Sequence, residues 1–278
     1  MHMGLKTSFD AELERQLADG ALVELKLDDP FDFTCREACM GTCCNRITIT
    51  LDPWDVEVMA RHLGMPGRDF VHAYCSYTWD DQMCWPVLTL RDAAAGPCAF
   101  LLADGRCRIY PARSRNCRTY PIGRAVRVEA VNGEKKIRER YFLVDQQKPC
   151  QGRLEGAGST VRDWLEASGA FQYFAFSDLH ISLIDYAHRE LSARRWLTEA
   201  TGRVLLPFLF APDILRIRLG ITEEQVGPEE FYRRRMHALH VLLTDLAAEL
   251  GYGPGTAGTG AGSTVMDRVR EILAYGAA

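Results

Sequence analysis

Four cysteines fall within the twelve residues FTCREACMGTCC at positions 33–44: Cys35, Cys39, Cys43 and Cys44. Thiolates are soft ligands, and when clustered they hold Zn2+ or iron–sulfur cores. Cys35 and Cys39 are four apart, so on a helical turn they share a face, with Cys43 one turn further along. Cys44 diverges from Cys43, because adjacent side chains point apart on a helix or a strand. The vicinal pair therefore divides between two sites, or between a metal and a structural role. Cys98, Cys107, Cys117 and Cys150 lie too far apart in the chain for a local chelate loop. Ligands drawn from distant segments are what a fold-organising metal site requires. Eight thiols suffice for two four-thiolate sites, or for one cluster with sulfur to spare. The remaining two, Cys75 and Cys84, read as small buried hydrophobes.

Zinc and a [4Fe–4S] core draw on the same ligand type. Zinc modules commonly pair C-x2-C knuckles, and this chain has none. The x3 spacing, with a near-local triplet and a remote fourth thiol, fits an iron–sulfur cluster (4Fe–4S) better, with zinc as the alternative. A radical-SAM enzyme is set aside: its C-x3-C-x2-C motif requires a third cysteine where Thr42 stands, and no repeated βα units follow.

Seven arginines (Arg106, Arg108, Arg113, Arg115, Arg118, Arg124, Arg127) lie between Gly105 and Val128 with no acid among them. Four thiolates around Zn2+ or a [4Fe–4S]2+ core leave about −2 per site, which nearby guanidiniums offset. Alternatively, the planar forks of Arg113, Arg115 and Arg118 hold an anionic substrate or a phosphate backbone. Tyr110, Tyr120 and Trp85 read as packing aromatics rather than as a stacking surface for nucleic acid. The run Arg233–Arg235 beside Glu229 and Glu230 reads as a solvated helix face. His237 and His240, and His180 and His188, share helix faces without a third ligand at helical spacing, and read as packing or surface residues. His62 and His72 lie near the cysteine segments but are not needed as ligands. No G-x-S-x-G, Walker A, G-x-G-x-x-G or H-E-x-x-H occurs, so hydrolase, kinase and dehydrogenase readings have no residues to stand on, and no catalytic residue is assigned.

The elements that must position these thiols can be read from the pattern around them. A short amphipathic helix and the extended ALVELKL occupy residues 5–30. RITITL alternates like a strand, and Asp52-Pro53 then cap and open the helix WDVEVMARHLG, which Gly64 ends. A second short helix covers RDFVHAY, and residues 75–97 give no clear pattern. Asp104-Gly105 predicts a two-residue hairpin in CAFLLADGRCRIY. With Ala103 opposite Arg106, Leu102 faces Cys107, and Cys98, Phe100 and Leu102 lie on one side. A second hairpin joins AVRVEAV to KIRERYFLV through Asn132-Gly133. From about residue 158 the periodicity is helical, interrupted by the Gly-rich loop 251–263.

The chain has 278 residues, 33 basic against 37 acidic side chains and a formal charge of −4, which gives no overall pull toward nucleic acid or anionic membrane. Its longest apolar run, VLLPFLFAP at 204–212, is far short of the roughly 20 residues of a membrane span. The first twenty residues carry acids and lack an apolar signal region, so a cytoplasmic location is expected. Ten cysteines in a chain of this length are too sparse for a disulfide scaffold.

The order C35-x3-C39-x3-C43-C44, the strand and LDPWDVEVMARHLG, then C98-AFL, C107-RIY and SRNC117-RTYP resembles the YkgJ-type cysteine-cluster family, described as a zinc- or iron-chelating domain. Cys150 in KPCQG resembles a further cysteine of longer members. The resemblance covers residues 33–152 and implies metal binding through these thiols. A similar cluster in proteins that accompany flagellin lysine methylation implies only that such modules can sit beside a modifying activity. The resulting expectation is an α+β protein: a lead-in (1–30), an irregular metal-organised cysteine domain with β-hairpins (31–152) and a mostly helical region (153–278).

Overall fold

The computed structural model describes residues 8–34, 36–37, 40–45, 47–91, 96–131, 134–144, 153–154, 158–252 and 264–276. Cys35, Cys39, Cys150 and most of the Gly-rich stretch 251–263 lie outside the described residues. The order of elements is α1 (Ser8–Ala18), β1 (Val23–Leu25), β2 (Phe33–Thr34), β3 (Thr50–Leu51), α2 (Pro53–His62), α3 (Gly67–Tyr74), β4 (Cys75–Asp80), β5 (Trp85–Leu90), α4 (Arg115–Thr119), β6 (Ile122–Val131), β7 (Glu134–Leu143) and β8 (Arg153–Leu154). The helical part follows as α5 (Val161–Ala167), α6 (Ala170–Arg189), α7 (Glu199–Gly202), α8 (Leu206–Phe210), α9 (Pro212–Leu219), α10 (Pro228–Glu249) and α11 (Val265–Tyr275). Small antiparallel sheets and a helical C-terminal region make the fold α+β.

The chemistry anticipated at the start of α2 is present: Asp52 Oδ1 accepts the Asp55 N–H at 3.0 Å, Asp55 Oδ2 accepts the Asp52 N–H at 3.2 Å, and Pro53 opens the first turn. The β6–β7 ladder pairs from Ile122↔Leu143 to Val131↔Glu134, while Asn132-Gly133, expected to turn this hairpin, lies outside the described residues. RITITL, by contrast, contributes only Thr50 and Leu51 as strand among its described residues, opposite Thr89 and Leu88. Its partner β5 ends at Leu90, whose N–H reaches Ile49 O, so Ile47 and Thr48 have no ladder to join. Residues 75–90, which gave no clear pattern, form a hairpin turned by Asp80, whose Oδ1 accepts the Gln82 and Met83 N–H groups.

The Asp104-Gly105 turn differs from expectation by one residue. Leu101, not Leu102, faces Cys107, and the Leu102 N–H donates to Arg106 O at 2.8 Å. Gly105 adopts φ 82°, so the loop holds three residues with the last one left-handed, and no two-residue hairpin forms. The period-two expectation fails with it: Phe100 is buried and Leu102 is 43% exposed. The helical stretch 160–176 is also broken in two, because Gly169 at φ 70° ends α5 before α6 begins.

One hydrophobic core runs through the cysteine-bearing part and the C-terminal helices. Trp54 on α2 stacks on Phe176 of α6 with ring centres 3.9 Å apart, and Tyr232 of α10 meets both edge-on. Trp85 Nε1 of β5 donates to His180 Nε2 at 2.9 Å. Glu57 and Arg235 form an ion pair with both side chains at or below 5% exposure. Arg235 therefore departs from the solvated face expected of Arg233–Arg235. It shares the α10 face of Phe231, Leu239 and Leu242 and answers a buried carboxylate, while Arg234 does make the i,i+4 bond to Glu230. A smaller core joins Phe31, Ile122, Tyr141, Leu165 and Phe174.

Candidate metal centre

Four separate segments bring cysteines toward one another. Cys43 and Cys44 end the turn that follows left-handed Gly41, where Thr42–Cys44 form a single 3-10 turn. Cys98 is tied to that turn by its own N–H, which donates to Cys44 O at 2.8 Å, and by the Asn45↔Pro97 bridge. Cys107 returns through its bridge to Leu101, whose N–H donates to Cys98 O. Cys117 rides on α4, where Ser114 caps the helix by accepting the Cys117 N–H.

The electrostatics record the convergence. Cys44 feels Cys43, Cys117 and Cys98, and Cys117 in turn feels Cys98 and Cys107. Burial, opposed by the Ser114 hydroxyl and reinforced by Asp55 and the other thiols, leaves Cys117 pushed up to about 12. Burial likewise raises Cys98. Cys43 goes the other way, to about 6, because the Cys44 thiol donates to it, and the same bond raises Cys44. All seven described cysteines are free thiols. An all-sulfur set, partly buried against an apolar core, fits the donor chemistry of zinc or an iron–sulfur core. The thiols are neighbours rather than a closed shell. Among the described residues no three Cys, His, Asp or Glu side chains gather at one ion-binding point, and three of the eight expected ligands lie outside those residues.

The arginines divide by role. Arg113 lies 3.9 Å over the Tyr110 ring, and its guanidinium feels both Cys107 and Cys117, the offset expected for thiolates. Arg118 is buried and donates to Ser168 O, Pro111 O and Tyr173 Oη. Arg115 donates to Ser177 Oγ and stands 3.7 Å from Asp52 Oδ2. Arg124 forks onto Asp178 at 2.7 and 2.9 Å, Arg108 reaches Tyr74 Oη, and Arg106 lies by Asp104. Trp85 is a core residue and Tyr110 is 60% exposed beneath Arg113. The histidines stay out of the centre. His180 is buried on Trp85, and burial lowers it to about 4; His240 stacks on Tyr186. Cys75 and Cys84 are buried in the core.

Sequence reasoning passed over the polar floor beneath Cys117. Asp55 is fully buried, and burial together with neighbouring Asp52 pushes its carboxyl up to about 8. Its Oδ1 accepts the Arg115 N–H at 2.6 Å. The three-residue spacing of Asp52 and Asp55 marked a cap, but nothing local marked the partner 60 residues away.

Residues 34–150 of the 278 match the model of the CxxCxxCC family, described as a "Putative zinc- or iron-chelating domain". No curated protein and no solved structure matched the chain. No helix among the described residues is long and apolar enough to cross a membrane. By its run of cysteines and by this match, the segment from residue 34 to residue 150 is similar to the CxxCxxCC family of zinc- or iron-chelating domains.

Proposed function

We propose that the chain is a metal-binding protein whose cysteine unit, residues 31–152, holds one or two iron–sulfur clusters of the [4Fe–4S] type, with a zinc-stabilised module as the second reading. The observation that carries it is the approach of Cys44, Cys98, Cys107 and Cys117, from four separate segments, to one apolar patch beside Arg113. Cys35, Cys39, Cys43 and Cys150 complete the thiol supply. When bound, a cluster supplies one-electron chemistry and zinc supplies structural closure. The chain's own part is to exclude water with Phe100 and Ile109 and to balance thiolate charge with Arg113, while a cytoplasmic location would keep the thiols reduced. Zinc stays in view because the family description names it and because the donor set suits both.

Anaerobic purification followed by an absorption spectrum, metal analysis and acid-labile sulfide tests this. A brown protein with iron and sulfide is expected, and Cys117→Ser and Cys39→Ser each strip the metal while Cys75→Ser leaves it. Stoichiometric zinc without colour replaces the iron–sulfur reading with zinc. A fully folded, metal-free protein, or equal losses from all three variants, refutes the ligand set.

A further inference from the structure

We infer that Asp55 is a positioning residue for the cysteine centre: its buried carboxyl fixes the helix that presents Cys117. The inference rests on the metal-binding reading for its purpose, though not for its geometry. Helix α4 has five residues, too few for its own hydrogen-bond ladder to hold it in place. It is held by bonds to other elements. Asn116 Nδ2 donates to Thr50 O at 3.0 Å, Arg118 reaches Ser168, Pro111 and Tyr173, and the first N–H of the helix, that of Arg115, ends on Asp55 Oδ1 at 2.6 Å. That N–H has no partner within its own helix, so an acceptor from elsewhere must meet it.

The chain supplies its own comparison. Three helices begin with a capping box whose third residue is aspartate: α2 with Asp55, α5 with Asp163 and α11 with Asp267. Asp163 and Asp267 lie on exposed helix starts, and the hydrogen bonds of their carboxylates go to Thr160 and Thr264 of their own caps. A cap works equally well in water, so capping alone gives no reason to bury the group. Asp55 has no exposed surface and divides its oxygens: Oδ2 takes the Asp52 N–H and Oδ1 crosses to α4. The two helices thus share one carboxyl, and the field of that group reaches Cys117.

The test compares Asp55→Ala, Asp55→Ser and Asp55→Asn with the cap-only control Asp163→Ala, all in the full chain and below the onset of thermal unfolding. One arm loads the protein with Zn2+ alone and follows its release to a colorimetric chelator. The other labels the metal-free protein with a maleimide and reads Cys117 against Cys75 by peptide mass. Asp55→Ala is expected to speed both zinc release and Cys117 labelling at least tenfold. Asp55→Asn, which keeps an acceptor oxygen, is expected within about threefold of wild type, as is Asp163→Ala. Asp55→Ser keeps a hydroxyl for the α2 start but cannot span to α4, and stands in if Asp55→Ala does not fold. Wild-type Cys117 labelling in a folded Ala or Ser variant, or an Asn variant that behaves like Ala, overturns the inference. Wild-type protein that takes up no zinc sinks the metal reading instead, and the labelling arm still decides the role of Asp55.

Discussion

Gly41 and Gly105 meet where the Cys43–Cys44 turn packs against the turn before Cys107. A Cβ on Gly105 comes within 2.8 Å of Met40 O and 3.2 Å of Met40 C, and the glycine sits at φ +82°. The obstructing atoms are backbone, so no rotamer change clears them. Gly105→Ala therefore carries two costs: about 1–2 kcal/mol for an alanine in the left-handed region, and a displacement of the Met40–Cys44 turn. Gly64 separates the two, because it has φ +65° and nothing within 4 Å of its Cβ position. Gly64→Ala should lose only the conformational part, about 1–2 kcal/mol of unfolding free energy, with metal release unchanged. Gly105→Ala should lose more than that. If the loaded form bears even 1–2 kcal/mol of the strain, metal affinity falls roughly 5- to 30-fold. Urea unfolding and chelator competition on the two variants measure both quantities. Indistinguishable variants in both assays would refute the claim that this backbone contact sets the spacing of the cysteine turns.

Two further predictions concern the core beneath the centre. Arg235→Met should cost about 1.5–3 kcal/mol in urea unfolding, because it removes the buried charge-assisted bond to Glu57 and leaves that carboxylate only Arg61, at 3.0 Å, and Glu57→Gln combined with Arg235→Met should recover part of it. A loss under about 1 kcal/mol from the single change would match an exposed pair and contradict the burial. His180 is neutral in the folded chain because burial lowers it from 6.5 to about 4. A base depressed on folding leaves stability intact above about pH 6.5 and weakens it as pH falls toward 4, here by about 3 kcal/mol. His180→Gln keeps an acceptor for Trp85 without the titration, so its stability should fall less over that window. Equal slopes for variant and wild type would remove His180 from the account.

Much that depends on neighbours in sequence was legible. Asp52-Pro53 and Gly64 bound α2, because helix caps are satisfied within a few residues. The thiol-rich segments were legible as residue types, and so was a basic neighbour for them in Arg113. What escaped depends on distant partners or on a single dihedral. Nothing near Gly105 distinguishes a three-residue loop from a two-residue one, yet that choice moves Cys107 from Leu102 to Leu101. Arg235 reads as surface until Glu57 is placed against it. Asp55 reads as a simple cap until Arg115 arrives.

The shared core has a consequence for anyone dissecting the chain. Trp54, Glu57 and Trp85 belong to the family-matched stretch, but the groups that cover them, Phe176, Arg235 and His180, all come after residue 152. A fragment trimmed to the recognisable motif would present an oily face, an acid stripped of its buried arginine and an unmet indole N–H to water. The helices that carry no signature are thus the lining without which the signature cannot stand, and studies of the isolated stretch would be reporting on a different molecule.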